Sequence, residues 1–255
     1  MRIALVTLAI SGDYIKMYNT LFRKSHEDYA KRHGYDFRVI TEYLDDEILH
    51  IRLISFQKAL VFSQPWSSQY DLIIFVDADI YIRPDSPAIH VAGDFTEKIG
   101  IVNEFAQPTK ELRMALQEEC GWETTATEYY KLCQFDLETD IVANTGVIVA
   151  CPAKHGQYFK EIYETYRETA MFHPRGFIYE QSAIGYCLVR DNKYICLPNE
   201  WNGLWMVNKF VYKDKELSEF IGETYFTHFA GRFQYEKLYE FLSRQDLPES
   251  PHITK

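Results

Sequence analysis

Paired cysteines are missing from this 255-residue sequence: five occur, Cys120, Cys133, Cys151, Cys187 and Cys196, an odd number with no C-x-x-C pair. That pattern signals neither a disulfide framework nor a zinc site, and it sets the expectation of a reducing, cytoplasmic compartment. No run of about 18 apolar residues occurs either. The apolar stretch near the start, Ile3 to Ile10, is too short for a membrane span and too β-like for the core of a secretion signal. Positive charge is in deficit, 27 Lys and Arg against 37 Asp and Glu. The net charge of −10 argues against nucleic acid or an anionic membrane as the main partner, while leaving room for a local basic site. Repeats, low-complexity tracts and linkers are absent, so a single domain over residues 1–245 is expected, with a polar tail at 246–255 that carries two prolines and is expected to fray.

What is present alternates. Residues 2–8 read as a buried strand. Tyr14 to His33 places Met17, Tyr18, Leu21, Phe22, Tyr29 and Ala30 at spacings of three and four, which predicts one amphipathic helix closed by Gly34. Phe37 to Thr41 reads as a strand, Ile51 to Phe62 as a helix stopped near Pro65, and the run from Leu72 as a strand again. Beyond it, strands are expected at 99–102, 141–150, 194–197 and 225–229, and helices at 110–119, 154–171, 180–189 and 235–242. Strands alternating with helices predict an α/β fold with a mostly parallel central sheet flanked by helices. Aromatics reach 16%, with 19 tyrosines, a surplus that suits core packing and sugar-facing platforms alike.

Two carboxylates, Asp77 and Asp79, interrupt the otherwise apolar run from Leu72 to Ile82. Residues i and i+2 of a strand share a face, so both can converge on one point if the strand ends there. Burying them uncompensated costs several kcal/mol each. A divalent cation answers that cost, since Mg²⁺ and Mn²⁺ accept carboxylate oxygens together with those of a diphosphate. The other reading is a solvated strand end. Ligands of open α/β sheets collect at the carboxyl ends of strands, which adds Thr7, the loop through Tyr14, and Asn144 if its strand runs the other way. Asn144 inside a strand is hard to explain by packing, because a buried amide needs partners, and sugar hydroxyls would supply them.

These residues fall in an ordered series: an apolar first strand, Lys58 on a helix, Phe75-Val76-Asp77-Ala78-Asp79, then Asn144-Thr145-Gly146-Val147, Glu180-Gln181 and His228-Phe229-Ala230-Gly231. Over residues 2–240 the series resembles the nucleotide-sugar glycosyltransferases of the glycosyltransferase-A fold. It is most similar to two retaining groups: glycogenin with the bacterial galactosyltransferases, and the fungal and plant mannosyl- and xylosyltransferases. The resemblance implies a metal-dependent transferase, a hexosyltransferase first, that moves a hexose or pentose from a nucleotide-diphosphate sugar, typically UDP-linked, to a glycan or other hydroxyl acceptor. It implies Mn²⁺ or Mg²⁺ on Asp77, Asp79 and His228, with Asp79 the principal ligand, Asp77 also near the ribose, and Lys58 approaching the diphosphate. It places Glu180 and Gln181 beside the anomeric carbon. A lysine expected shortly after His-x-x-Gly is missing; Arg232 is the substitute, with Lys237 further on. Residues up to about 100 would hold the donor and the remainder the acceptor. Glu104 and Asn103, after a strand, are candidates for sugar hydroxyls. Trp201 and Trp205 are candidates for the acceptor cleft or, equally, for core anchors. An inverting transferase with Glu180 or Glu104 as base, and a non-catalytic sugar or nucleotide binder, are the alternatives.

Overall fold

A computed structural model describes residues 1–45, 54–167 and 180–245. Six strands form the main sheet: β1 (Ile3–Leu8), β2 (Asp36–Ile40), β3 (Leu72–Val76), β5 (Ile99–Asn103), β6 (Ala143–Ala150) and β7 (Tyr194–Leu197), in the spatial order β2-β1-β3-β6-β5-β7. Three of its five pairings are parallel, as expected. Strand β6 runs against both of its neighbours, which makes the sheet mixed. Its start, Asn144 to Gly146, therefore lies at the edge where β3 ends.

A second, three-stranded sheet joins β4 (Ile80–Ile82), β9 (Phe226–His228) and β8 (Gly203–Leu204). The apolar run from Leu72 is thus not one strand. It leaves the main sheet at Val76, turns through Asp77 to Asp79 with Ile80 N–H donating to Asp77 O (3.2 Å), and enters the small sheet at Ile80. Both aspartates sit on the crossing between sheets.

Helices flank the main sheet: α1 (Gly12–Leu21), α2 (Arg23–His33), α3 (Lys110–Cys120), α4 (Ala126–Leu132), α5 (Pro152–Tyr166), α6 (Glu180–Arg190), α7 (Trp205–Val211), α8 (Leu217–Glu223) and α9 (Tyr235–Gln245). The single helix predicted over 14–33 is two. Phe22 departs from helical geometry at φ −120° and buries its ring edge-on against Phe229 and Tyr235, so the apolar spacing continues across a break. Gly34 does close α2, at φ 69° in the left-handed region. The segment predicted as a helix over 51–62 is a 3₁₀ helix, Ser55–Ser63, in the described part; 51–53 lie outside it. Residues Phe56 to Phe62 are all buried, so no solvent face exists to impose an amphipathic period. Gly156 of α5 permits this burial: a Cβ there would lie 2.5 Å from Phe62 O. Residues 168–171 of the helix expected at 154–171, and the tail, also lie outside the described residues. No described helix is long and apolar enough to cross a membrane.

His26, on α2, shows how α2 is tied to the small sheet. It is fully buried, bonded at Nε2 to Ile80 O (2.7 Å) and at Nδ1 to Tyr18 Oη (3.3 Å), and burial pushes its pKa down to about 4. The stability this represents is complete above about pH 6.5 and fades as the pH falls toward 4, where the unfolded chain binds a proton that the native protein resists. Urea unfolding followed from pH 7 to 4.5 is expected to lose up to about 3 kcal/mol more in the native protein than in His26→Gln. Parallel pH profiles would remove His26 as the cause.

Candidate functional site

Asp77, Asp79 and His228 each offer a ligand atom within 4.8 Å of the others. Main-chain bonds set this convergence. Asp77 N–H donates to Gly146 O (2.8 Å), Phe229 N–H donates to Asp79 O (2.9 Å), and Ile80 pairs with His228 across β4 and β9. The Asp77 and Asp79 side chains keep 24% and 14% exposure, enough for an ion to reach them, while His228 is buried.

The network behind His228 fixes where its protons sit. Gly146 N–H donates to Asn144 Oδ1 (2.9 Å), so that oxygen is an acceptor, and Asn202 Nδ2 donates to it as well (2.6 Å). Asn202 Oδ1 therefore faces His228 Nδ1 at 2.9 Å and accepts a hydrogen bond from its N–H. That leaves Nε2, 3.4 Å from Asp79 Oδ1, as the ring nitrogen that gains or loses a proton. A positive charge belongs between these two atoms, either a proton on Nε2 or a cation in its place. Burial lowers the His228 pKa, yet the charges of Asp79 and Asp77 outweigh it and raise the net value. A nitrogen lone pair beside two carboxylates is a donor set that fits a divalent cation.

Lys58 is 2% exposed, with Nζ 2.8 Å from Asp77 Oδ1 and 2.5 Å from Glu180 Oε1. Burial alone would strip its proton; the two carboxylates reverse this and hold it charged. Thr145 Oγ1 donates to the same Glu180 oxygen (3.1 Å), and among the described residues none hydrogen-bonds Glu180 Oε2. Burial pushes the Glu180 carboxyl up, Lys58 pulls it down further, and the net shift is downward.

Asn144 departs from expectation. Its amide is partnered within the protein, by Gly146, Asn202 and, through Nδ2, Glu104 Oε2 (3.0 Å), so no sugar is needed to satisfy it. Glu104 collects Gln181 Nε2 (2.8 Å) on the same oxygen and the buried Arg113 on the other (2.8 Å). Burial raises the Glu104 pKa, but Arg113, Asn144 and Gln181 bring it below the ordinary value. Asn103 is bound into the backbone around Phe105 and Val142.

Thr7, at the end of β1, is buried with a hydroxyl that has no partner among the described residues. Tyr14 is half-buried beside the aspartates: burial, Asp79 and Asp77 drive its pKa far up, so it remains a hydroxyl donor. Arg232 is exposed, with its guanidinium 5.9 Å from the Tyr14 ring, on a left-handed turn (φ 64°) that follows Gly231 (φ 70°). Both tryptophans are buried, as the core-anchor alternative has it. Trp201 packs on Tyr225 and Phe226, and Trp205 on Phe220 with its Nε1–H donated to Gln234 Oε1 (3.0 Å).

Asn202 and Arg113, which help hold the site together, carried no sequence signal of their own, and Gly146 stood out only as part of the Asn144 to Val147 run. A Cβ on Gly146 would lie 2.6 Å from His228 Cε1 and 2.7 Å from Nδ1, so glycine is required for the imidazole to sit where it does. Its place directly after Asn144-Thr145 is the one hint the sequence holds.

No family model matches the chain, and no curated protein does. Solved structures do. A glycosyltransferase involved in glycosylation of the major capsid of PBCV-1 shares 15% identity over 96% of this chain and 100% of its own, with a TM-score of 0.62. The galactosyltransferase LgtC, in complex with donor and acceptor sugar analogues, shares 14% over 96% and 98%, at 0.56. The bifunctional glycosyltransferase WbbM shares 13% over 94% of this chain but 49% of its own, at 0.59. At these identities the likeness is one of fold: the chain shares the mixed α/β fold of these glycosyltransferases.

Two substitutions test the site's framework. Lys58→Met leaves Asp77 and Glu180 without their cation and is expected to cost about 3 kcal/mol in urea unfolding; a loss under 1 kcal/mol would show the pairing to be dispensable. Gly146→Ala is expected to weaken any divalent-cation binding at Asp77, Asp79 and His228 by about tenfold or more in calorimetric titration; an unchanged affinity would show that the imidazole's position does not depend on the missing side chain.

Proposed function

We propose that this chain is a metal-dependent glycosyltransferase that moves a sugar, a hexose in the first instance, from a nucleotide-diphosphate donor such as a UDP-sugar to a hydroxyl of a glycan, with retention of configuration. The observation that carries this reading is the meeting of Asp77, Asp79 and Nε2 of His228 at the end of β3, in a chain with the fold of known glycosyltransferases. Those three residues would hold a divalent cation, Mn²⁺ before Mg²⁺ because the set mixes nitrogen with oxygen. Bound there, the ion would neutralise the charge that builds on the departing diphosphate.

The chain's own groups divide the remaining work. Thr7 and Tyr14 offer hydroxyls to the nucleotide side, and the Arg232 fork would grip phosphate oxygens as they become more negative. Lys58 contributes indirectly by fixing Asp77 and Glu180. The unpartnered oxygen of Glu180 would face the cationic sugar centre, and Gln181, Asn144 and Glu104 would line the sugar hydroxyls. Retention is supported by the lack of a poised base: Glu104 is neutralised by Arg113 and Glu180 by Lys58, each with a lowered pKa. The acceptor hydroxyl would then lose its proton to the departing phosphate. Donor residues come mainly from the first hundred positions, while His228, Glu180 and Asn144 come from the rest, so both proposed halves meet at the ion.

Nucleoside diphosphate release measured across a panel of nucleotide sugars is expected with one donor, only with Mn²⁺ or Mg²⁺, and at least about 100-fold slower in Asp79→Asn. Release that ignores both metal and substitution would overturn the reading, and an inverted product anomer by NMR would overturn retention.

A further inference from the structure

A continuous hydrogen-bonded chain runs from the candidate metal site to the carboxylate beside Gln181: His228, Asn202, Asn144, Glu104, then Arg113 and Gln181. Each proton in it has one consistent direction, because its fixed points are a backbone N–H, that of Gly146, and a carboxylate, that of Glu104. Asn202 is the member that joins the two ends. It is completely buried in a 3₁₀ turn, Asn199–Asn202. Gln107 clamps that turn from both sides, its Nε2 donating to Asn202 O (3.0 Å) and its Oε1 accepting from Leu204 N–H (2.9 Å). The side chain at 202 thus has a rigid base and two defined partners.

We propose that Asn202 is a positioning residue for the ion-binding group: its oxygen locks His228 as the Nδ1–H imidazole, and its amine ties that ring through Asn144 to the Glu104 and Gln181 side of the site. A divalent cation that displaces any proton from Nε2 then meets a nitrogen already aimed at it, instead of having to select one of two tautomers and several ring orientations. Second-shell partners of ligating histidines are often carboxylates. An amide at 202 supplies the same acceptor without adding a further charge beside Asp77, Asp79 and Glu180. It also donates to Asn144, which a carboxylate cannot do. The proposal rests on the metal-binding reading of the site and is independent of whether sugar is transferred.

The experiment uses the full chain, with Mn²⁺ alone as the probe. Long-range ¹H–¹⁵N NMR of the metal-free native protein, taken at a pH high enough for the ring to be neutral, is expected to show His228 protonated at Nδ1. Asn202→Leu is expected to lose that single tautomer and to bind Mn²⁺ about 10- to 100-fold more weakly. Asn202→Asp keeps the acceptor oxygen and is expected to restore the tautomer and bring Mn²⁺ affinity to within roughly threefold of native. An Nε2–H tautomer in the native protein, or native Mn²⁺ affinity in Asn202→Leu, would overturn the role of Asn202. Should Asn202→Leu fail to fold, the native spectrum and the Asp variant decide between the same outcomes. Complete lack of Mn²⁺ binding by the native protein would instead overturn the metal reading itself, whereas Mn²⁺ binding without nucleotide release would overturn the transferase reading alone.

Discussion

The rest of the site depends on one buried ammonium. Lys58 comes from the 3₁₀ segment under the sheet, Asp77 from the end of β3 and Glu180 from the start of α6, and one cation holds both carboxylates at hydrogen-bond distance. Charged groups are removed from water at a cost of several kcal/mol each, so such a cluster persists only with close pairing and satisfied hydrogen bonds. Lys58 adds a bond to Thr145 O (3.3 Å), which secures the start of β6 as well. Counted at full ionisation, Asp77, Asp79 and Glu180 against Lys58 leave two negative charges. That imbalance matches one divalent cation, whereas the neighbouring Glu104 and Arg113 balance each other without help.

Topology makes the convergence possible. A parallel sheet brings together the carboxyl ends of its strands, but Asn144, Thr145 and Gly146 stand at the beginning of theirs. They reach the same edge because β6 runs against β3 and β5. The chain then leaves the main sheet at Asp77 and begins the small one at Ile80, so the aspartates occupy the turn and not a strand interior, which keeps them partly open to an incoming ion. β9 returns in the small sheet to set His228 opposite Ile80, and Gly146 gives up its side chain to make room for the imidazole.

Much of this was legible, for a definable reason. Charges inside apolar runs are conspicuous, so Asp77, Asp79 and the Asn144 to Gly146 segment stood out before any fold was known. Regular strands and helices of ordinary length also declared themselves through their periods. What failed to show was either short or long-range. Strands of two or three residues, such as β4 and β8, have no period to detect. The break at Phe22 preserves the apolar spacing that would reveal it. The ion pairs of Lys58 gave no local sign because its partners lie 19 and 122 positions away. Asn202 and Arg113 belong to residue types that are usually exposed, and only the folded chain buries them. Trp201 and Trp205, adjacent to polar residues in the sequence, could be assigned to the core only once Phe220, Tyr225 and Phe226 were in place around them.

The electrostatic environment also narrows the type of chemistry the site is built for. Enzymes that divide work between a protein acid and a protein base separate the pKa values of two groups, raising one by burial while another stays ionised. Burial raises Asp77 while His228, against burial, helps lower Asp79, but the two glutamates move the same way. Glu180 and Glu104 are buried, which would raise them, and each has its own buried cation that lowers it instead. Neither is stored as an acid, and neither has the raised basicity of a poised base. The groups that remain available are charges and dipoles of fixed position: two part-exposed aspartates, an oriented imidazole, an unpartnered carboxylate oxygen and an exposed guanidinium. Under the proposed transferase reading, such an arrangement would stabilise separated charge in place, as cleavage of a bond between an electron-poor carbon and a strongly anionic leaving group requires.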